Sequence, residues 1–306
     1  MRERVLITGG SGLIGRRLTA LLVQQGYEVA WLSRGEPHQG TVPVFGWNPS
    51  EHTIDRTAIE WADHIVHLAG AGVADRRWTA RRRQLILTSR VQGTRLLAQA
   101  IADTADRPSS VIAASAIGRY GVNTGDRWVE ETDPIGSDFL ADVVRRWESE
   151  LDPIADLGVR RVTIRIGIVL SRAGGALPKI AAPFAAGLGA RLGSGRQYMS
   201  WIHIDDLCGM IITALGNRAW SGPYNGVAPD PVTNAEFSRV LAQALGKATV
   251  LPPVPAFVLQ IAMGEMAGIV LGGVRASSRK AVAAGATFGY ATLQAALDAL
   301  YPPQLR

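Results

Sequence analysis

A short apolar run, Val5-Leu6-Ile7, passes straight into Thr8-Gly9-Gly10-Ser11-Gly12-Leu13-Ile14-Gly15. A helical pattern carried by Leu13, Leu18, Leu21 and Leu22 follows. Strand, glycine turn and helix in that order restrict the fold sharply, because the glycines recur as Gly9-x-x-Gly12-x-x-Gly15. The first glycine permits a tight turn, the second lets backbone amides approach a pyrophosphate, and the third lets the helix pack closely on the strand. Ser11, Leu13 and Ile14 complete the turn and the helix start, whose positive dipole end faces bound phosphates. Gly26 closes the helix as a C-cap. Gly9, Ser11, Gly12, Leu13, Ile14 and Gly15 are therefore read as a dinucleotide-binding turn.

The first half of the chain repeats this alternation. Val29 to Leu32, Asp63 to Leu68, Ser109 to Ser115 and Val159 to Ile166 read as buried strands. A helix over roughly Thr79 to Ala102 carries Leu85, Leu87, Val91, Leu96 and Leu97, and another carries Phe139, Val143 and Trp147. The alternation predicts an α/β protein with a doubly wound parallel sheet. From about Gly174 the elements shorten, which predicts a smaller, mainly helical C-terminal lobe on the substrate side. The expected boundaries are 1–170 for the nucleotide-binding domain, with returning segments from about 196–230, and 171–306 for the lobe. Val254 to Val274 is the one stretch resembling a membrane span. Pro255, Gln260, Glu265 and its glycines make a bilayer reading costly. A buried or amphipathic helix covering the substrate side is expected there instead.

Composition narrows the function. With 47% hydrophobic and 19% charged residues over 306 positions, the chain can build a core, which excludes disordered and fibrous classes. A single cysteine, Cys208, excludes a disulfide scaffold and a cysteine-based zinc cluster, and no metal site is expected. The chain opens Met-Arg-Glu-Arg directly before the first strand, which reads as a cytoplasmic protein without a secretory signal. The net charge of +6 comes from a set of basic residues of which 29 of 32 are arginine. The densest run, Arg76-Arg77-Trp78-Thr79-Ala80-Arg81-Arg82-Arg83, reads as a solvated helix start rather than a phosphate-binding face. Neither nucleic acid nor a membrane is expected as a partner, while a homodimer is left open.

The second strand ends Leu32-Ser33-Arg34-Gly35, with no acid before Glu36. A site for NAD normally places a carboxylate here to hold the adenosine ribose hydroxyls. A serine hydroxyl and a planar guanidinium suit a 2′-phosphate instead. Ser33 and Arg34 thus point to NADP(H).

With the glycine turn, Ser33-Arg34, His67-Leu68-Ala69-Gly70 and Ala113-Ala114-Ser115 in order, the sequence resembles the extended short-chain dehydrogenase/reductases. More narrowly it resembles their atypical branch, the YfcH-like epimerase family proteins of the NAD-dependent epimerase/dehydratase superfamily. The segments that carry this are Trp78 to Thr94, Ser115 to Gly121, Leu192 to Gln197, Ser200 to Asp206 and Gly264 to Tyr290. The resemblance implies a Rossmann-like sheet with the cofactor across its carboxyl edge and the C-terminal lobe closing over the nicotinamide. It also implies that Leu68, Ala69 and Gly70 line the cofactor and that Ser115 takes the place of the family's catalytic serine.

The wider family normally carries Tyr-x-x-x-Lys on a helix, where the lysine lowers the tyrosine pKa and the tyrosine moves a proton. Four residues before Lys179, Lys247 and Lys280 stand Gly175, Gln243 and Ala276, so the pair is absent. Phe139 and Val143 are expected at its two positions. Tyr120 is the nearest phenol that could substitute, although it reads more readily as a packing tyrosine, and His203 reads as a substrate-side acid or, more readily, as a satisfied core histidine. Three functions stay open. One is an NADP(H)-dependent oxidoreductase or epimerase-like protein acting on a small carbonyl or alcohol. The others are a non-catalytic NADP(H) sensor and a sugar-nucleotide epimerase.

Overall fold

Val5, Leu6 and Ile7 are fully buried because their strand lies inside a sheet covered on both faces. The computed structural model describes residues 2–34, 42–248 and 251–302. The chain begins with β1 (Arg4–Thr8), α1 (Leu13–Gln24), β2 (Glu28–Ser33), β3 (Val44–Asn48) and β4 (Thr53–Ile54). Next come α2 (Thr57–Trp61), β5 (His64–His67), α3 (Ala80–Ala102) and β6 (Ser110–Ala116). After β7 (Trp128–Val129), α4 (Phe139–Ser149) and α5 (Asp152–Asp156), β8 (Arg160–Ile166) returns to the sheet.

The later elements are shorter. They run β9 (Ile168–Leu170), α6 (Ala176–Ala185), β10 (Tyr198–Met199), β11 (Trp201–His203) and α7 (Ile204–Gly216). β12 (Gly222–Gly226), β13 (Val232–Thr233) and α8 (Asn234–Ala244) follow. The chain ends through α9 (Ala256–Met263), α10 (Ala267–Leu271), β14 (Arg275–Ala276), α11 (Arg279–Ala283) and α12 (Leu293–Leu300).

The main sheet has the order β12-β8-β6-β5-β1-β2-β3-β4. Every neighbouring pair is parallel except β3 with β4. This is the doubly wound α/β architecture that the alternation predicts. Side chains alternate across it: Val5 and Ile7 join Leu18, Leu22, Ile211 and Trp220 on one face, while Leu6 joins Ile65, Leu97 and Ile101 on the other. Winding leaves β1 toward β2 on one side and toward β5 on the other, and the crevice at such a reversal is where open α/β sheets bind ligands. A separate core around Trp201, Phe237, Leu241 and Leu297 supports the later segments.

Three expectations need correction. Val254 to Val274 is neither a buried nor an amphipathic helix: Gly264, at φ +61°, breaks it into α9, a short 3₁₀ turn and α10. No residue of α9 is buried, and Phe257 and Ile261 stand 62% and 73% exposed. In α3 the core stripe runs through Ile86, while Leu85 is exposed. The arginine run is not simply solvated. Arg82 donates to the Gly72 carbonyl and pairs with Asp75 at 3.3 Å, and Arg83 pairs with Glu265 at 2.8 Å. Among the described residues, no helix is long and apolar enough to cross a membrane and no group of three or more potential ligands could hold a metal.

Candidate functional site

The glycine turn builds one wall of the crevice. Gly9 adopts φ +71°, and a Cβ on it would lie 3.1 Å from the Ala69 nitrogen, so the turn rests on the loop after β5. Gly15 is held more tightly. A Cβ there would meet the Gly9 carbonyl oxygen at 2.4 Å and the Gly10 Cα at 2.6 Å. The close packing expected of the third glycine is therefore against the turn itself rather than the strand. Gly12 differs from both: its φ is −75°, it is exposed, and only the Gly9 oxygen, at 3.1 Å, would approach a Cβ. Ser11 is exposed beside it, and Leu13 and Ile14 are half-buried.

α1 begins at Gly12 with no side-chain cap and no acidic residue in its first turn. Its leading amides thus keep their donors and positive dipole end for an external acceptor. An open Gly12 over an uncapped helix start fits a dinucleotide pyrophosphate in polarity and sign of charge. At the edge of the crevice, Ser33 is half-buried at the end of β2 and Arg34 is exposed just beyond it. Gly35 and Glu36 lie outside the described residues.

The opposite wall is the loop after β5. Thr8 Oγ1 accepts the amides of Leu68 and Ala69 at 3.1 and 3.2 Å, and its proton goes to His67 Nδ1 at 2.7 Å. His67 Nε2 then donates to Thr94 Oγ1 at 2.9 Å, which also accepts Trp147 Nε1 at 3.1 Å. This chain assigns the neutral Nε2–H tautomer, and burial pulls the His67 pKa down to about 4. β1, β5, α3 and α4 are thereby tied together directly beneath Leu68, Ala69 and the exposed Gly70. Sequence reasoning missed Thr8, His67 and Thr94 as supports. The polar side chains at the end of two apolar strands were the available signal.

Ser115, Arg165 and Asn225 lie in register on β6, β8 and β12. Ser115 is 3% exposed and its Oγ donates to Glu148 Oε1 at 2.6 Å. Arg165 spans the same carboxylate with Nε to Oε1 at 2.9 Å and Nη2 to Oε2 at 3.0 Å, while Arg119 Nη1 lies 3.1 Å from Oε2. Tyr120 is also buried; its hydroxyl donates to Asn225 Oδ1 at 2.7 Å and accepts Arg165 Nη1 at 3.0 Å. Burial pushes the Tyr120 phenol up. Ser115 and Tyr120 thus share one network, with both hydroxyl protons directed at protein acceptors. His203 caps α7 through Nδ1, which accepts the Asp205 amide at 3.1 Å, and its ring lies 3.9 Å from that of Tyr290. It sits apart from this network, buried and with Nδ1 committed to the α7 cap.

A family model described as the NAD dependent epimerase/dehydratase family matches residues 5–145. A second, for a domain of unknown function (DUF1731), matches 254–300. Epimerase family protein Mb2239 of Mycobacterium bovis is 40% identical over 295 residues, covering 96% of each chain. The chain belongs to the NAD dependent epimerase/dehydratase family. Human epimerase family protein SDR39U1 (isoform 2), solved with NADPH, superimposes with a TM-score of 0.87 at 34% identity, over 97% of this chain and 99% of that one. UDP-glucose 4-epimerase of Thermus thermophilus, solved with NAD, gives 0.73 at 22% identity over 98% and 99%. That likeness is one of fold.

Within the epimerase/dehydratase family this chain departs from the usual site at α4, which contains neither tyrosine nor lysine. Phe139 lies edge-on to Trp78 at 5.1 Å with the Arg83 guanidinium 4.4 Å from its ring, and Val143 is 2% exposed. Leu140, rather than Phe139, approaches the turn after β6: a Cβ on Gly118 would lie 3.5 Å from its Cβ. Glu148, Arg165 and Arg119 are charged groups around Ser115 that the sequence did not single out. Among 29 arginines nothing local marks the two that face one glutamate.

Proposed function

We propose that this protein is an NADP(H)-dependent oxidoreductase or epimerase-like enzyme acting on a small carbonyl or alcohol. The observation that carries the reading is the uncapped α1 start over an open Gly12, combined with a second strand that ends in Ser33-Arg34 without a carboxylate. The relative solved with NADPH supports the same cofactor. A bound nicotinamide dinucleotide supplies hydride transfer. The chain's own residues then bind and orient: the α1 amides toward the pyrophosphate, Arg34 and Ser33 toward a 2′-phosphate, and the loop Leu68-Ala69-Gly70 along the opposite side. NADPH should bind more tightly than NADH, and Arg34→Ala should narrow that gap by about 1.5–3 kcal/mol, the scale of a charge-assisted hydrogen bond. Fluorescence titration of both nucleotides measures this. Equal affinities in the unmutated protein overturn the cofactor assignment.

A second reading, an NADP(H) sensor, is favoured by one observation. The hydroxyls of Ser115 and Tyr120 are both engaged in a buried network, and α4 supplies no tyrosine–lysine pair. NADPH oxidation against a panel of aldehydes, ketones and quinones separates the two. Turnover supports the enzyme, and tight NADPH binding without turnover favours the sensor.

A further inference from the structure

Arg90 is a half-buried cation with no carboxylate partner. It lies one helical turn before Thr94 on α3, which places it over the carboxyl end of β5. Its Nη1 donates to the carbonyls of Ala71 at 2.9 Å and Ile86 at 3.0 Å, and its guanidinium carbon sits 5.0 Å from the Trp147 ring centre. Among the described residues no acid pairs with it; the charged group it feels is Arg82, of like sign, and burial pulls its pKa down to about 10. Removing a cation from water without a counter-charge is costly, so an anion brought beside Arg90 gains more than it would from an exposed arginine.

Its position says where such an anion would lie. A Cβ on Gly70 would lie 3.3 Å from the Arg90 guanidinium carbon, and a Cβ on Gly9 would lie 3.1 Å from the nitrogen of neighbouring Ala69. Arg90 and the glycine turn therefore touch consecutive residues of one loop. The adjacent Ser89 Oγ accepts the Ala71 amide at 3.1 Å, which fixes that loop against α3. Nε and Nη2 of Arg90 have no protein acceptor among the described residues, so three of five N–H donors stay available.

We propose that Arg90 is the fixed counter-charge for the pyrophosphate of a dinucleotide held on the glycine turn. This rests on the dinucleotide reading above and adds a residue on the far wall of the crevice to the amides of α1. The anion is gripped from both sides: by the dipole end of a helix and by a guanidinium whose own partners leave its outer edge open. A merely structural Arg90, pinning Ala71, would affect every ligand of the crevice alike.

The test uses the full chain and three ligands: NADPH, ADP-ribose, which keeps the pyrophosphate, and 2′-AMP, which lacks it. Arg90→Met should weaken NADPH and ADP-ribose by about 10- to 100-fold, the loss of charge-assisted hydrogen bonds. It should leave 2′-AMP unchanged, and Arg90→Lys should recover part of the loss by restoring the charge. Undiminished NADPH affinity in Arg90→Met, or an equal loss for 2′-AMP, overturns the assignment. Should the unmutated protein bind ADP-ribose through Arg90 but not favour NADPH, the NADP(H) reading fails and Arg90 keeps its role. Binding of neither ligand removes both.

Discussion

Glu148 receives Ser115 and both nitrogens of an Arg165 fork on one carboxylate, with Arg119 also beside it, and the Arg165 side chain is only 3% exposed. A buried arrangement of that kind holds because both Glu148 oxygens are paired, and its members come from β6, α4, β8 and the turn after β6. His67 follows the opposite logic, being buried without any counter-charge and neutral. Its folded pKa of about 4 lies below the ordinary 6.5, so the unfolded chain binds the proton more readily. The stability linked to this ring is complete above pH 6.5 and is lost as pH falls toward 4. By pH 5 the loss amounts to about 2 kcal/mol. His64 and His203 are lowered in the same direction by burial, so the informative quantity is a difference between proteins. Urea unfolding at pH 7 and pH 5 should show a flatter pH response in His67→Gln than in the unmutated chain. An unchanged response removes His67 from the account.

The strand–turn–helix element assigns different work to glycines that look alike in the sequence. Gly15→Ala drives a Cβ into rigid turn backbone at 2.4–2.7 Å, so it should lower stability by about 1–3 kcal/mol, the usual cost of overpacking. Gly12→Val meets far less of the protein and carries no φ penalty, so it should fold yet lose nucleotide binding, because its side chain fills the cradle. Unfolding midpoints with NADPH titration check the pair; Gly12→Val that binds normally places the phosphates elsewhere. The order of β1, α1, β2, β5, α3, β6 and β8 was legible because strands buried on both faces must be apolar throughout and their connecting helices must carry a stripe. The stretch from Val254 to Val274 was misread because α9 is apolar without being buried, so hydrophobicity alone indicated a helix that the core does not use. Arg90 and Glu148 were illegible for a different reason. A charge becomes informative through its partners, and those stand on elements distant in sequence.

At the scale of the molecule, the sheet is not completed by the segments that begin it. α7 and β12 lie at 204–216 and 222–226, yet Leu207, Met210, Ile211, Leu215, Trp220 and Tyr224 share a core with Val5, Ile7, Val162 and Ile164. β12 pairs with β8 along Val162 to Ile166, and Asn225 on it bonds Tyr120 and the Glu131 carboxylate. A fragment of residues 1–170 would keep the glycine turn, Ser33-Arg34 and Arg90 but leave one sheet face covered by α1 alone and β8 an open edge. Burying those six side chains is worth on the order of 10 kcal/mol at roughly 1.5–3 kcal/mol each, comparable to the whole stability of a typical domain. The fragment should therefore show no cooperative urea transition, bind a hydrophobic dye and fail to bind NADPH, whereas the full chain should unfold with far- and near-ultraviolet circular dichroism in step. A fragment that unfolds cooperatively near the midpoint of the full chain would mean that the first half holds its own core, and that β12 and α7 decorate the nucleotide-binding unit rather than complete it.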